Sequence, residues 1–216
     1  MRFINFFIIF FTLLNLIKCN SNKQKQDNLA LFLILSDSFT GSNPNTEFDK
    51  LITTTQESSG VYLTVVNATS TKSWTLVDLK AQAKYSATNW DLRFKRFVIG
   101  TNSGSSGNLL AAACDSGLTV FQAVTENTSC KTGTNFEVDI PMSQTGGGSG
   151  AGDVNESASP VLFNWYNYSN TILTAKTNVY LIRGSDGNSL FKLQMTDYYS
   201  KSGTSGYPSF RWSKLK

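Results

Sequence analysis

Few side chains in this 216-residue chain could do chemistry, and the most versatile one is missing: there is no histidine. That removes a Ser-His-Asp or Cys-His triad, a His general base, a His-bearing zinc site and a His-ligated haem. No Gly-x-Ser-x-Gly elbow occurs either, and a serine nucleophile would have no imidazole to activate it. Paired carboxylates could still act as acid and base, as in glycoside hydrolysis. The candidates are Asp78, Asp91, Glu137, Asp139, Asp153, Glu156, Asp186 and Asp197. Asp186 belongs to a turn, and Glu137 and Asp139, two apart on an expected strand, would share one solvated face. No catalytic pair stands out, so the chain reads as a non-enzyme, with a carboxylate hydrolase as the weakest alternative.

The three cysteines divide by position. Arg2 followed by the apolar stretch Phe6 to Ile17 has the form of a signal peptide and is too short to span a bilayer. Cys19 follows directly, where a bacterial lipobox places the lipidated residue. Lys18 takes the place usually held by a small residue, so ordinary cleavage near Asn20-Ser21 is the alternative. The expected organisation is a signal peptide over 1–18, a lipid-anchored polar tether over 19–28 and a single domain over 29–216. Losing Arg2 and Lys18 from 19 basic residues leaves 17 against 15 acidic ones, and net charge falls from +4 to +2. That is no electrostatic footprint for nucleic acid. Cys114 and Cys130 then form an even pair in an exported chain, read as a disulfide worth about 3 kcal/mol in the loop-entropy model, with two buried free thiols as the alternative.

The elements that must position these groups read as strands almost throughout. Runs over 29–35, 61–66, 73–79, 92–99, 118–124, 135–140, 161–168 and 178–182 are β-branched, aromatic or alternating. Residues 179–184 and 190–195 flank Ser185-Asp186-Gly187-Asn188, a strong hairpin signal. Only residues 46–58 and 109–114 suggest short helices. The architecture expected is all-β and mostly antiparallel, with many short strands. The Gly-rich stretch 146–153 lacks the Lys-Ser/Thr of a phosphate cradle and the repeat of a calcium β-roll, and reads as a surface loop. Four Asn-x-Ser/Thr sites, at Asn67, Asn127, Asn155 and Asn167, are expected by chance in so Asn-, Ser- and Thr-rich a chain. Trp74, Trp90, Trp165, Tyr166, Tyr168, Tyr198, Tyr199, Phe210 and Trp212 lie in or beside strands, core by default, with a minority available to line a pocket for a flat apolar ligand.

Two blocks resemble a known family. Asn89-Trp90-Asp91-Leu92-Arg93-Phe94-Lys95-Arg96-Phe97, continuing to Thr101-Asn102-Ser103-Gly104-Ser105-Ser106-Gly107, is similar to the Trp-Asp…Arg-aromatic…Asn-x-Gly-x-Ser-Gly block of the HmuY-type haem-binding lipoproteins. Residues 178–188 with Lys192-Leu193-Gln194-Met195-Thr196-Asp197-Tyr198 resemble that family's ending, Trp74 its Trp-led strand and Cys19 its leader. The resemblance implies an antiparallel β domain, lipid-anchored at the bacterial outer membrane or cell surface. Such a domain takes haem or a related porphyrin from a host haemoprotein and passes it to an outer-membrane uptake receptor. Several acyl chains on Cys19 would make anchoring stable. Family members ligate iron through a histidine or methionine pair, one ligand just beyond a Trp-x-x-aromatic segment and one from mid-chain. Here that segment is Trp165-Tyr166-Asn167-Tyr168, followed by Ser169-Asn170-Thr171, so haem-contact candidates are Met142, Tyr166, Tyr168 and Met195. Met142 or Tyr166 would be the axial ligand. Met195 alternates in phase with Phe191 and Leu193 and is expected in the core. The alternative is an HmuY-like fold that has lost haem ligation and serves as a surface adhesion or protein-interaction module.

Overall fold

The computed structural model describes Glu47, Phe48, residues 50–144 and residues 154–216. The signal segment, Cys19, the tether, the run 29–35 and the Gly-rich stretch 146–153 lie outside the described residues. Those described belong to one compact unit, Pro44–Lys216.

Six strands form the main sheet: β1 (Ile52–Ser58), β2 (Val61–Val66), β6 (Ala112–Asp115), β11 (Val179–Arg183), β12 (Leu190–Tyr199) and β13 (Ser205–Lys214), ordered β1-β2-β13-β12-β11-β6. Every pairing in it is antiparallel. Successive residues on a strand face opposite ways, so register alone sorts the sheet into two faces. One face carries Val66, Phe210, Trp212, Leu193, Met195, Phe191, Tyr180, Ile182 and Ala113, all in the main core. The other carries Val179, Leu181 and Cys114 in a smaller cluster with Phe121 and Val124.

Against the first face packs a three-stranded sheet of β3 (Thr75–Val77), β4 (Leu92–Lys95) and β5 (Val98–Thr101). Its Val77, Leu92, Phe94 and Ile99 point inward, and Phe94 stacks on Phe210 with centroids 5.4 Å apart. Two hairpins complete the described fold: β7 (Ile140–Gln144) with β8 (Val154–Ala158), and β9 (Tyr166–Ser169) with β10 (Ile172–Ala175). The second face is covered by the loop from Cys114 to Cys130, which are disulfide-bonded with Cα atoms 5.7 Å apart. Lys192 Nζ fixes that loop from below by donating to the carbonyls of Phe121 and Val124.

The all-β expectation holds, and the 179–195 hairpin forms as expected. Several local expectations do not. Residues 46–58 are not a helix beyond a turn at Glu47–Phe48, because Ile52-Thr53-Thr54-Thr55 is β-branched and pairs with β2. Residues 109–114 give strand β6, since Ala112 and Ala113 are fully buried between β11 and the chain at Glu137, where small side chains fit and helix propensity is overridden. The run 118–124 is a loop with one 3₁₀ turn, Phe121–Ala123, held by Lys192. Residues 92–99 break into β4 and β5 at Arg96-Phe97, where Arg96 has φ +53°. Of 135–140 only Glu137 makes a bridge before β7 begins, and 161–168 is turn until Tyr166.

Candidate functional site

The residues that carried the family resemblance converge on two buried carboxylates. Asp91, fully buried, accepts the backbone N–H of Leu79 (2.8 Å) and of Ser185 (2.6 Å) and ion-pairs with Lys80 at 2.5 Å. Ser185 opens the Asp-Gly hairpin, so Asp91 ties the first block to the second across 94 residues. Asp186 behaves as expected of a turn residue, accepting N–H from Asn188 and Ser189.

Asp139 corrects an expectation. It does not share a solvated face with Glu137: Glu137 is exposed, whereas Asp139 is 1% exposed. The reason is the 101–107 loop, which wraps it. Thr101 donates from N (2.9 Å) and Oγ1 (2.6 Å), Ser106 donates from Oγ, and Ser105 N–H reaches the Asp139 carbonyl. Gly104, at φ +53°, lies so close that a Cβ there would sit 2.1 Å from that carbonyl. Burial raises the Asp139 carboxyl above the usual range, while Ser106, Thr101 and nearby Arg93 pull it back. Glu137 and Asp139 therefore do not form a catalytic pair facing one space. Asp78 and Asp91 share Lys80 and are engaged by backbone donors. Among the described residues there is no cluster of three or more His, Cys, Asp or Glu able to hold a metal.

The ligand candidates are distributed differently. Met195 pairs with Phe210 on β12 and is 2% exposed, a core residue as its phase indicated. Met142 is half-buried on β7, opposite Glu156, and packs against the same core. Tyr166 and Tyr168 share one face of β9; Tyr166 is half-buried and Tyr168 is 38% exposed. So one sulfur is locked inside, the other lies on a different hairpin from the tyrosines, and only Tyr166 sits at the boundary of an aromatic cluster.

That cluster is what sequence reasoning missed. Tyr166 meets Phe97 and Trp165 edge-on, each at 5.5 Å. Trp165 is anchored by its indole N–H to the Phe97 carbonyl at 2.8 Å. Tyr198 packs 5.2 Å from Tyr199 and 6.4 Å from Trp165, with the Arg96 guanidinium 5.8 Å from its ring. Tyr199 Oη accepts the Leu173 N–H, and Arg96 is held by Ser205 Oγ at 2.8 Å. A Cβ on Gly206, φ +92°, would come within 2.5 Å of Arg96, so glycine makes room for the guanidinium. Tyr198, 2% exposed, has a hydroxyl with no hydrogen-bond partner among the described residues. Burial raises its pKa; Arg96 opposes the rise, and Tyr199 and Tyr166 add to it. Buried hydroxyls nearly always find a partner, so this one marks a place where a further polar group would be stabilised. Phe97, Trp165 and Tyr198 are buried in this cluster, and Tyr166, Tyr199 and Arg96 are its half-buried members.

The family model described as HmuY protein matches residues 70–212. The chain belongs to the HmuY family. Solved structures agree with the HmuY fold. A Bacteroides vulgatus protein described as HmuY-like and haem-binding superposes with a TM-score of 0.56 at 19% identity, covering 76% of this chain and 96% of its own. A Bacteroides fragilis protein described as a lipoprotein gives 0.57 at 18%, covering 76% and 95%. The Tannerella forsythia apo HmuY analogue gives 0.53 at 18%, covering 76% and 97%. A search of curated proteins finds no match. Asp91, Asp139 and the loop around them fall inside the HmuY match, and so do Met142, Tyr166, Tyr168 and Met195.

Proposed function

We propose that this HmuY-family protein is an exported, non-enzymatic surface lipoprotein that binds haem or a related porphyrin without histidine. Cys19 is the proposed lipidation site and the bacterial outer membrane or cell surface its location. No helix among the described residues is long and apolar enough to cross a membrane; the anchor in this reading is a lipid on Cys19. A host haemoprotein as donor and an outer-membrane receptor as acceptor complete the proposal.

The observation that carries it is the Tyr166–Tyr198–Tyr199 cluster with Arg96, in which the buried Tyr198 hydroxyl has no partner among the described residues. Phenol oxygen is an established type of haem-iron ligand; the Arg96 guanidinium lies over the Tyr198 ring, where it opposes without outweighing the rise that burial gives that phenol. In this reading bound haem supplies the iron and a flat apolar ring. Tyr166 supplies an oxygen, Phe97 and Trp165, buried behind it, fix its ring, and Met142 is the second candidate from the neighbouring hairpin. Haem titration of the purified protein tests it. A saturable Soret shift is expected, weakened about tenfold or more in Tyr166→Phe or Met142→Ala, the loss of one good ligand interaction. Absence of a saturable shift in both ferric and ferrous states overturns the reading.

One observation favours a second reading. Met195 is buried in the core, so a methionine pair is not available among the described residues without opening the sheet. A fold that has lost ligation and serves as an adhesion or protein-interaction module would leave haem spectra unchanged by any of these substitutions.

A further inference from the structure

The inner face of the main sheet changes character at its edge. Along β1 the inward positions run Ile52, Thr54, Gln56, opposite Val66, Thr64 and Tyr62 of β2. Apolar packing gives way to amide and hydroxyl within two residues, and there the layers separate into a cleft of about 420 Å³. Its other wall is Gln82, Ala83 and Lys84. That volume lies in the range of small-molecule sites.

The far wall is held in a costly conformation. Gln82 and Ala83 have φ of +58° and +55°, consecutive left-handed residues without glycine. The turn is fixed from behind: Gln82 N–H donates to Leu79, Asp78 N–H to the Lys84 carbonyl, and the Asp78 carboxylate accepts Lys80 and Ala81 N–H. Ala83 is thereby buried, while the side chains of Gln82 and Lys84 stay exposed at the cleft. Neither makes a hydrogen bond or ion pair with another described residue. The floor is ordered: Thr54 Oγ1 contacts Thr64 Oγ1 at 2.9 Å, which accepts the Trp212 indole N–H at 2.9 Å, and Tyr62 stacks on Trp212 at 4.9 Å.

We propose that this cleft binds a sugar acid, a uronic or sialic-type residue. Gln82 presents an amide that can both donate and accept, as vicinal hydroxyls require, and Gln56, whose Nε2 donates to the Ser58 carbonyl at 3.1 Å, keeps its amide oxygen and a second N–H. Tyr62 offers an aromatic ring beside them, and among the described residues Lys84 is the one charged side chain in the lining, with no carboxylate to repel an anion. The lining is too polar for a porphyrin, which separates this site from the tyrosine cluster. The proposal does not rest on haem binding.

Titration of the ¹⁵N-labelled protein with D-glucuronate and with N-acetylneuraminate tests it, read at the Trp212 indole N–H. A saturable shift with at least one of them is expected, with D-glucose markedly weaker. Lys84→Met should lower affinity about tenfold, as loss of one charge-assisted bond does. Thr54→Val should weaken it also while keeping the strand, and Tyr166→Phe should leave it unchanged. No saturable shift with either acid, equal affinity in Lys84→Met, or equal affinity for D-glucose would overturn the proposal.

Discussion

Two regions of this molecule share a core but are built on opposite plans. Around Asp91 and Asp139, backbone N–H, serine and threonine hydroxyls and Lys80 converge on two interior carboxylates, and the Nε of Arg93 is the one buried side-chain atom there without a partner among the described residues. Around Tyr166 the aromatic faces are well packed, yet the buried Tyr198 phenol lacks a partner among the described residues and the neighbouring candidates sit on separate hairpins. The first region contains the blocks by which the family is recognised, and their work is to hold backbone. The second draws on the same blocks, with Arg96 and Phe97 from one and Tyr198 from the other, but Tyr166 and Met142, the candidates for ligand contact, fall outside both. Family membership therefore speaks strongly for the fold and weakly for the ligand, since Asp91 and the loop around Asp139 hold backbone while Tyr166 and Met142 lie outside the two blocks.

The sharpest way to break that comparison is Asp91→Ala. It strands the buried N–H groups of Leu79 and Ser185 and leaves Lys80 only Asp78 as an ionic partner, so a loss of about 3–5 kcal/mol is expected from the urea midpoint at constant slope. Tyr166→Phe, which keeps the ring against Phe97 and Trp165, should cost under about 1 kcal/mol by the same measurement. A cost for Asp91→Ala as small as that of Tyr166→Phe would mean the family blocks are not the structural frame.

The two methionines give the next contrast. Met195→Ala removes a buried side chain from the face that also bears Leu193 and Phe210 and should cost about 3 kcal/mol. Met142→Ala, on a half-buried strand, should cost about 1 kcal/mol while changing any haem spectrum more than its stability. Reversal of either order would move Met195 out of the structural group.

Reducing the disulfide probes the other side of the sheet. Opening Cys114–Cys130 should lower stability by about 3 kcal/mol and expose the small cluster of Phe121, Val124, Val179 and Leu181. Haem and sugar titrations should then be altered no more than stability requires, because neither candidate site lies on that face.

How much of this was legible in sequence follows the range of the interactions. The 179–195 hairpin could be read because strand alternation and an Asp-Gly turn are local signals. Met195 could be placed in the core from its phase with Phe191 and Leu193. The disulfide followed from an even cysteine count in an exported chain. Strands β1 and β6 were misread because a Thr run and an Ala run have no decisive local period, and pairing with β2 and β11 settled them. Asp139 was misread as solvated because its donors lie 33 and 38 residues away, in a loop that looks flexible when read alone. The cluster of Tyr166, Tyr198, Tyr199 and Arg96 was invisible for the same reason: three separate segments build it, and none has a spacing that points to the others.

The smallest effect expected is also the most specific to the matched region. Burial raises the Asp139 carboxyl above its ordinary value, so between that value and the folded one the native state binds more protons than the unfolded chain. Stability from this group is therefore present at low pH and is lost as pH rises through that window. The slope is at most about 1.4 kcal/mol per pH unit, the limit for one proton. Asp139→Asn abolishes the titration while keeping an acceptor for Thr101. The difference in unfolding free energy between the natural protein and Asp139→Asn should accordingly fall as pH rises from about 4 and then level off, the window opening just above an ordinary aspartate. Asp78, which burial also raises, titrates in both proteins and largely cancels from the difference. A difference that instead grows with pH would mean that the bonds from Ser106 and Thr101 outweigh burial. Asp139 would then be an anionic anchor like a salt-bridged carboxylate, and the matched region would owe its stability to charge more than to enclosure.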